Sequence, residues 1–392
     1  MISIFSPTHN PKYLQELYDS IKGQDFYEWV IVSNKGVIVP DFKDERVKVF
    51  SFESDYVGAL KRFACSKCTG DIYLEVDHDD LLTENAIEEL TEAFKDKSVG
   101  FVYSNTANFR GDFEKTERYA EVYGWKYRDT IKGLEEHIAF EPVPSAVSRI
   151  WYAPNHLRAW RADVYKETGG HNPEMRVLDD QELIAKTYLV TKFKHIDKCL
   201  YLYRIDNGNT WLKHNKEIQD NVMRIYEKYI QDIAVKWSKD HNLLCLDLGG
   251  SFGCPDGFEA VDIRTGTDLN KKWPYEDGSV GVIRAYDIFE HLKDPIHTMK
   301  EVQRVLAPDG VLLSQTPSTD GRGAFQDPTH VSFWNENSFL YYTDEGWGKY
   351  IDSPVKLKTI QIYTTKPDDI NVCWVRADLV KKGVGPGVEY GN

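Results

Sequence analysis

The chain has 392 residues, which is long for a single hydrophobic core and favours two domains. Its composition, 41% hydrophobic and 28% charged, is typical of a globular protein, and its net charge of -14 argues against nucleic acid as the main partner. The sequence shows neither a targeting segment nor an apolar run of the roughly 20 residues that span a membrane, so it predicts a cytoplasmic protein.

Strand-like and helix-like segments alternate from the first residue. The order is a strand "ISIFSP", a helix "PKYLQELYDSIKGQ" and the strands "WVIVSN" and "RVKVFSF". A helix around Leu60, a strand that ends in acids, a helix after Thr83 and the strand "VGFVYSN" follow. This alternation predicts an α/β domain with a largely parallel sheet and ligands at the carboxyl ends of its strands.

The acid-tipped strand lies in "DIYLEVDHDDLLTE". Its alternating apolar residues predict a half-buried strand that ends where the acids begin. In an extended chain Asp77 and Asp79 point to the same side, where their oxygens can bind one Mg²⁺ or Mn²⁺ ion. The alternative is an acidic turn before a helix with Thr83 as its N-cap. Both interpretations remain open at this point.

A long amphipathic segment, "WLKHNKEIQDNVMRIYEKYIQDIAVKWSKDHN", breaks this rhythm. Its apolar spacing predicts one helix that connects two domains. The strand and helix alternation restarts at "LLCLDLGG". We therefore expect two Rossmann-like modules in series, with an N-terminal domain over 1–212, a helical connector over 213–240 and a C-terminal domain over 241–392.

Four motifs of the first half resemble the family 2 glycosyltransferases of the GT-A fold. They are "SPTHN", "VDHDD", "RADVYKETGGHNPEMRVLDDQEL" and "YLYRIDNGNT", in the family's order and approximate spacing over residues 1 to 210. The resemblance implies a nucleotide-diphosphate sugar as donor, Mn²⁺ or Mg²⁺ as cofactor, and a glycan or glycoconjugate as acceptor. It also implies that Asp77 and Asp79 hold the metal and that Thr8 and Asn10 lie beside the nucleoside.

The pair Asp179 and Asp180 stands at the position of the family's catalytic acid residue. Sugar transfer with inversion needs a base that takes the proton from the attacking hydroxyl, and the resemblance implies Asp180 in that role with Asp179 supporting it. The alternative is that the pair caps the helix "QELIAKTYL".

The first half departs from the family's pattern at two places. Asn34, in "VSNKG", stands where the family often has an aspartate pair near the base and ribose. Arg204 and Asp206 stand where many members have Arg-x-His. Arg204 is then a candidate contact for the diphosphate, and Asp206 is either a third metal ligand or a turn residue.

The second half, from "LLCLDLGG" to "YDIFEHL", resembles the class I S-adenosylmethionine-dependent methyltransferases. The resemblance implies a binding site for S-adenosyl-L-methionine at the strand end and glycine turn, an aspartate for the ribose hydroxyls and one near adenine. The strand ends at Asp247, and the glycine turn contains Gly249, Gly250 and Gly253. The ribose contact is Asp262, and the residue near adenine is Asp268.

Two further points concern the activity of the second half. His330 in "QDPTHVSF" is the candidate base for a hydroxyl acceptor, with His291 and Glu290 of "IFEHL" as neighbours. Ser251 replaces a common glycine, and the interval from Gly253 to Asp262 is too short for a helix plus a strand, so the usual first helix is expected to be a loop.

The sequence therefore predicts a bifunctional enzyme that transfers a sugar and a methyl group to the same or a related glycan. The first alternative is a monofunctional glycosyltransferase whose second domain is a binding or scaffold module. The second alternative is a sugar-binding protein without catalysis.

Overall fold

The computed structural model describes residues 1–119, 123–150, 152–206 and 213–387. Contacts divide the chain into two units, an N-terminal unit that ends at Tyr229 and a C-terminal unit made of Ile230 onward together with two short earlier segments around residues 123–124 and 143–145. This boundary lies inside the long helix Asn215–Asp240. None of the helices in the described ranges is both long and apolar enough to cross a membrane.

The N-terminal unit is built on one mixed sheet. Its strands are β1 Ile2–Thr8, β2 Glu28–Ser33, β3 Val47–Ser51, β4 Ile72–Glu75, β5 Leu81–Leu82, β6 Val99–Arg110, β7 Glu114–Lys115, β8 Lys126–Asp129, β9 Glu135–Ile138, β10 Arg158–Arg161 and β11 Lys192–Arg204. Its helices are α1 Leu14–Ile21, α2 Val57–Lys67, α3 Ala86–Ala93, α4 Pro144–Arg149, α5 Ala162–Glu167, α6 Asp179–Val190 and the first part of α7 Asn215–Asp240.

The strand order of this sheet is β3-β2-β1-β4-β10-β6-β11-β5. The strands β3, β2, β1 and β4 run parallel, whereas β10 lies antiparallel between β4 and β6. The carboxyl ends of β1 and β4 therefore meet at one edge of the sheet, as the βαβ pattern predicts.

The strand that leads to the acids differs from its prediction. All four residues of β4 are buried, because β4 lies in the middle of the sheet with both faces covered. The prediction of a half-buried strand is wrong, since the polar side chain of Glu75 is also buried. Thr83 is not a cap either: α3 begins after Asn85 and has no side-chain cap.

The C-terminal unit contains a second sheet with the order β13-β12-β14-β15-β17-β16. Its first four strands run parallel, and β17 and β16 are antiparallel additions. The strands are β12 Leu244–Leu248, β13 Glu259–Val261, β14 Val280–Tyr286, β15 Leu306–Pro317, β16 Leu357–Thr364 and β17 Trp374–Lys381, and the helices are α8 Pro295–Val305, α9 Gly323–Gln326, α10 Glu336–Thr343 and α11 Glu345–Gly348.

Two features predicted for this half of the chain are confirmed. The connector is a single helix, α7, and its predicted apolar stripe is buried, from Ile218 to Trp237. The usual first helix of the second module is reduced to a short 3₁₀ turn, Gly250–Phe252, between β12 and β13. The structure thus confirms an α/β chain with two modules in series.

Candidate active site

A cleft of about 410 Å³ opens at the carboxyl edge of the first sheet. Asp77 and Asp79 both line it, just after β4. The chain does not stay extended there: the Asp80 N–H donates to the Asp77 carbonyl oxygen at 3.2 Å and closes a turn. The structure therefore brings the two predicted metal ligands to one cleft by a turn, and the expectation of an extended strand is wrong.

The turn is held from behind by β11, which is distant in sequence. The Asp80 carboxylate accepts hydrogen bonds from the Arg204 backbone N–H at 2.7 Å and from the Tyr201 hydroxyl at 2.8 Å. The Arg204 guanidinium donates to the Asp79 carbonyl oxygen at 2.8 Å and lies over the rings of Tyr13 and Phe109. Arg204 is buried and is not among the residues that line the cleft. The structure places it as a support of the acidic turn, whereas the sequence predicts a contact with the diphosphate.

Asp179 and Asp180 lie on the cleft at the start of α6. The N-cap residue of this helix is Leu178, and no side chain caps it. The two acids are therefore in the first helical turn and are not its caps. They differ in access, because the Asp180 side chain is 21% exposed and the Asp179 side chain only 4%.

The two carboxylates also differ in charge environment. Burial raises the pKa of Asp180, but the Arg158 guanidinium, which forms an ion pair with it, and the Lys61 ammonium together bring the pKa below its usual value. Burial raises the pKa of Asp179 to about 7, against the opposing effect of Lys61. Asp179 Oδ2 is buried without a hydrogen-bond partner, 3.8 Å from His171 Nε2. At neutral pH Asp180 is thus ionised and accessible, and Asp179 is near its midpoint.

This raised pKa predicts a stability effect of Asp179→Asn. A buried acid whose pKa is higher in the folded state favours folding when protonated, so its contribution is lost as the pH rises toward about 7. From pH 5 to pH 8, the Tm of wild type should fall by at least about 3 °C more than the Tm of Asp179→Asn. Thermal unfolding at both pH values measures this difference.

The control for this experiment is Asp163→Asn, which changes an exposed acid in the first turn of α5. Its Tm difference from wild type should be the same at pH 5 and pH 8. A pH-independent difference for Asp179→Asn as well would contradict a raised pKa at Asp179.

Two buried basic residues, Lys61 and Arg158, lie among the acids of the cleft. Lys61 pairs with Glu75 beneath Asp77. Burial is the main cause that raises the pKa of Asp77 to about 6, and it prevails over the opposing charge of Lys61. Buried charges require compensation, so the cleft suits a divalent cation at Asp77 and Asp79.

The predicted nucleoside contacts separate into two groups. Thr8 and Asn34 line the cleft. Asn34 exchanges two hydrogen bonds with the backbone of Ser54, at 2.9 and 3.1 Å, which fixes its amide group. Asn10 is exposed outside the lining, and its side chain accepts from the Lys12 N–H at 3.1 Å.

Asp206 is half-buried near the acidic turn, and its negative charge contributes to the raised pKa of Asp79, for which burial is the main cause. Within the described residues it does not form, with Asp77 and Asp79, a set of three ligand atoms close enough to share one ion. The turn that it would form with Asn207 and Gly208 lies outside the described residues.

Sequence reasoning missed Lys61 and Arg158. A signal exists for Lys61, because it falls on the same buried face of α2 as Leu60 and Ala64, where a lysine requires a buried partner. Arg158 begins β10, and no local pattern reveals its partner Asp180. Two histidines of the unit differ in position: His156 lines the cleft, whereas His171 is fully buried against Tyr165.

In the C-terminal unit, the predicted glycine turn follows β12. Gly249 has φ +78°, a conformation that favours glycine, and a Cβ on Gly250 would lie 2.4 Å from Asp247 Oδ2. Asp247 is buried, pairs with Arg284 at 2.7 Å through Oδ1, and leaves Oδ2 without a partner. Gly253 has open space around its Cα. Glycines beside a buried carboxylate oxygen without a hydrogen-bond partner fit a bound ligand.

The other two predicted cofactor contacts have local hydrogen bonds. Asp262 follows β13 and accepts the Arg264 N–H at 2.8 Å through Oδ1 as the cap of a 3₁₀ turn. Asp268 accepts the Asn270 N–H at 3.0 Å and lies 3.3 Å from the Lys271 ammonium. One oxygen of Asp262 and both oxygens of Asp268 are therefore engaged with the protein.

The structure also brings together the three residues assigned near the methyl acceptor. The ring centroids of His291 and His330 lie 4.9 Å apart, and Glu290 is adjacent and buried. His330 Nδ1 lies 3.0 Å from the Ala324 carbonyl oxygen.

Comparison with known proteins assigns both halves of the chain. Residues 3–149 match the family model described as Glycosyl transferase family 2, and residues 208–352 match the model described as Methyltransferase domain. The chain is therefore a GT-A domain of glycosyltransferase family 2 fused to a Rossmann-like methyltransferase domain. Both resemblances drawn from the motifs are confirmed.

Similar curated proteins match a little over half of the chain. A chondroitin synthase of Pasteurella multocida (strain Pm70) is 25% identical over 225 residues, which are 55% of this chain and 22% of that protein. A hyaluronan synthase of Pasteurella multocida is 25% identical over 224 residues, 54% of this chain and 21% of that protein. The chain thus spans about a fifth of the length of these relatives. Among solved structures, residues 1-349 of S. aureus TarS in complex with UDP-GlcNAc have a TM-score of 0.43 at 17% identity, covering 59% of this chain and 70% of that fragment.

Proposed function

We propose that the N-terminal unit transfers a sugar from a nucleotide-diphosphate sugar to a hydroxyl group of a glycan. The cleft carries this proposal, because it brings Asp77, Asp79, Asp179 and Asp180 together at the carboxyl edge of the sheet. The names of the curated relatives, chondroitin synthase and hyaluronan synthase, support a glycan product.

In this proposal Asp77 and Asp79 hold Mn²⁺ or Mg²⁺. The metal, when bound, neutralises negative charge on the diphosphate leaving group. Arg204 and Asp80 hold the acidic turn in place, and Thr8 and Asn34 contact the nucleoside side of the donor. Asp206 is proposed to approach this site as a third oxygen ligand, consistent with its electrostatic effect on Asp79.

Asp180 is the proposed base that takes the proton of the acceptor hydroxyl. Its carboxylate is the more accessible of the pair, and Arg158 keeps it ionised. Asp179, the more buried of the two, is the supporting residue beside it in the first turn of α6. This division of roles follows the exposure of the two side chains.

We further propose that the C-terminal unit binds S-adenosyl-L-methionine and methylates the same or a related glycan. The glycine turn after β12 and the orphaned Asp247 Oδ2 fit such a ligand, and Asp262 keeps one oxygen for the ribose hydroxyls. The bound donor supplies an electrophilic methyl group, and the protein's task is to align the acceptor with it. Covalent linkage of the two units raises the effective concentration of the first product at the second site.

Calorimetric titration of the full chain tests both halves. We expect saturable binding of S-adenosyl-L-methionine, and Mn²⁺-dependent binding of one of the uridine, guanosine, cytidine and thymidine diphosphates. Nucleotide binding without methyl-donor binding would overturn methyl transfer and leave the glycosyltransferase intact.

Asp262→Asn is expected to weaken S-adenosyl-L-methionine binding at least about tenfold. The amide keeps an oxygen for the Arg264 N–H but loses the charged acceptor for the ribose, which is worth about 1.5–3 kcal/mol. Asp256→Asn, which changes an exposed acid in the segment before β13, is the matched control and should bind like wild type. Equal affinity of both variants would show that Asp262 does not contact the donor.

One observation favours a second candidate function, a glycosyltransferase with a non-catalytic C-terminal module. The first helix is reduced to the turn Gly250–Phe252, and Asp262 and Asp268 are partly engaged by local hydrogen bonds. Binding of the methyl donor in the titration would count against this candidate.

A further inference from the structure

Among the described residues, one group of three metal-binding side chains lies close together, Glu290, His291 and His330 in the C-terminal unit. One ligand atom of each lies within 4.8 Å of those of the other two. Glu290 and His291 belong to the 3₁₀ turn Phe289–His291, which follows β14 at the carboxyl edge of the second sheet. His330 lies between α9 and α10.

Both imidazoles are oriented by backbone carbonyl groups. His330 Nδ1 lies 3.0 Å from the Ala324 carbonyl oxygen, and His291 Nδ1 lies 3.3 Å from the Thr329 carbonyl oxygen. A carbonyl oxygen only accepts, and the Thr329 hydroxyl, 3.2 Å from His291 Nδ1, already donates its hydrogen to Asp327 Oδ1 at 2.7 Å. This arrangement places the hydrogen of each ring on Nδ1 and leaves the Nε2 lone pair for a metal. A carbonyl group behind the ring is the usual way in which proteins orient histidines that bind metals.

The carboxylate is held in a similar way. Glu290 is 2% exposed, and its Oε2 accepts from the Thr316 hydroxyl at 2.7 Å. This neutral hydroxyl orients the carboxylate but does not balance its charge, and Oε1 is left as the ligand atom. The Glu290 carbonyl oxygen accepts the N–H groups of Val331 and Ser332 at 2.8 and 3.1 Å, which joins the turn to the segment that carries His330.

We propose that Glu290, His291 and His330 form a binding site for a divalent first-row transition metal ion. Two nitrogens and one carboxylate oxygen suit Mn²⁺, Fe²⁺, Co²⁺ or Zn²⁺, whereas Mg²⁺ prefers oxygen ligands alone. Three protein ligands leave coordination positions open for water or a substrate oxygen. His330 is then a metal ligand and not the base that the sequence predicts.

The site adjoins the predicted cofactor turn. A Cβ on Gly249 would lie 3.2 Å from Ile288, the residue that precedes the 3₁₀ turn. If the unit transfers methyl groups, an acceptor hydroxyl held on the metal would give its proton to water more readily. Its oxygen would then bond to the methyl carbon while the sulfonium C–S bond breaks and leaves its electron pair on the sulfur of S-adenosylhomocysteine. This role rests on the proposed methyl transfer, whereas metal binding itself does not.

Titration of the metal-free full chain with Co²⁺ tests the site through the visible absorption of the bound ion. Wild type should show a saturable spectrum of a nitrogen-ligated ion, and His330→Gln and His291→Gln should each raise the Kd for this spectrum at least 30-fold. His297→Gln, which changes a histidine of α8 outside the cluster, should bind within twofold of wild type. Asp79→Asn, which alters the separate acidic turn, should also leave this spectrum unchanged.

A wild-type Co²⁺ spectrum and affinity in both histidine variants would overturn the proposal, as would the absence of such a spectrum in wild type. Circular dichroism of each variant checks folding, and the part-exposed His291 carries the test if His330→Gln does not fold. Binding of S-adenosyl-L-methionine is measured on the same samples. A protein that binds S-adenosyl-L-methionine but not Co²⁺ would refute the metal site alone. A protein that binds Co²⁺ but not S-adenosyl-L-methionine would refute the proposed methyl transfer alone.

Discussion

Asp180→Asn is expected to lower kcat for sugar transfer by about 10³-fold, within the usual range for loss of a general base. The asparagine fills the same space and can still accept from the Gln181 N–H, but it cannot take the acceptor's proton. The KM for the donor should change by less than about threefold, because Asp77 and Asp79 remain. Steady-state kinetics with saturating Mn²⁺ measure both constants.

The pH profile separates Asp180 from its neighbour. Because the pKa of Asp180 is low, wild-type kcat should not fall through pH 7 on the acid side, whereas a base at Asp179 would give a fall near its pKa of about 7. Asp179→Asn is the matched comparison and should retain much more activity than Asp180→Asn. Greater loss in Asp179→Asn, together with an acid limb near pH 7 in wild type, would assign the base to Asp179.

Asp77→Asn and Asp79→Asn are each expected to weaken Mn²⁺-dependent binding of the nucleoside diphosphate by at least about 100-fold. Each change removes one of two carboxylates that share the proposed metal, and a metal contributes several kcal/mol to charge stabilisation on a phosphate. Calorimetry with and without Mn²⁺ measures the difference.

The matched control is Asp71→Asn, at the opposite end of β4. Its side chain is 69% exposed and pairs with the N-terminal ammonium group. It should bind nucleotide like wild type. If both cleft variants keep full Mn²⁺ dependence, the acidic turn is not part of the metal site. Asp206→Asn, titrated in the same way, measures the contribution of the proposed third ligand.

The elements that were predicted correctly depend on local patterns. The stripe Leu14, Leu17 and Ile21 of α1 is buried as its spacing predicts, and α7 is a single helix for the same reason. The glycine turn after β12 was found because glycines directly after a strand indicate a tight turn wherever the strand lies.

The residues whose surroundings differ from the sequence prediction have partners that are distant in sequence. Arg204 supports the acidic turn because β11 pairs with β5 and brings it behind Asp79 and Asp80. The burial of β4 on both faces depends on β10, which inserts beside it from later in the chain. Neither pairing leaves a periodic signal in the segments concerned.

Local patterns of the sequence specify the two α/β modules, the long helix and the acids and glycines at the strand ends, because hydrophobic period and turn chemistry act within a few residues. Which carboxylates are ionised depends instead on the folded chain. Asp179 and Asp180 are neighbours of the same type, yet their pKa values shift in opposite directions, because Arg158 pairs with Asp180 while burial dominates at Asp179. Burial and charge pairing are properties of the folded surroundings, and the one-dimensional chain does not specify them locally.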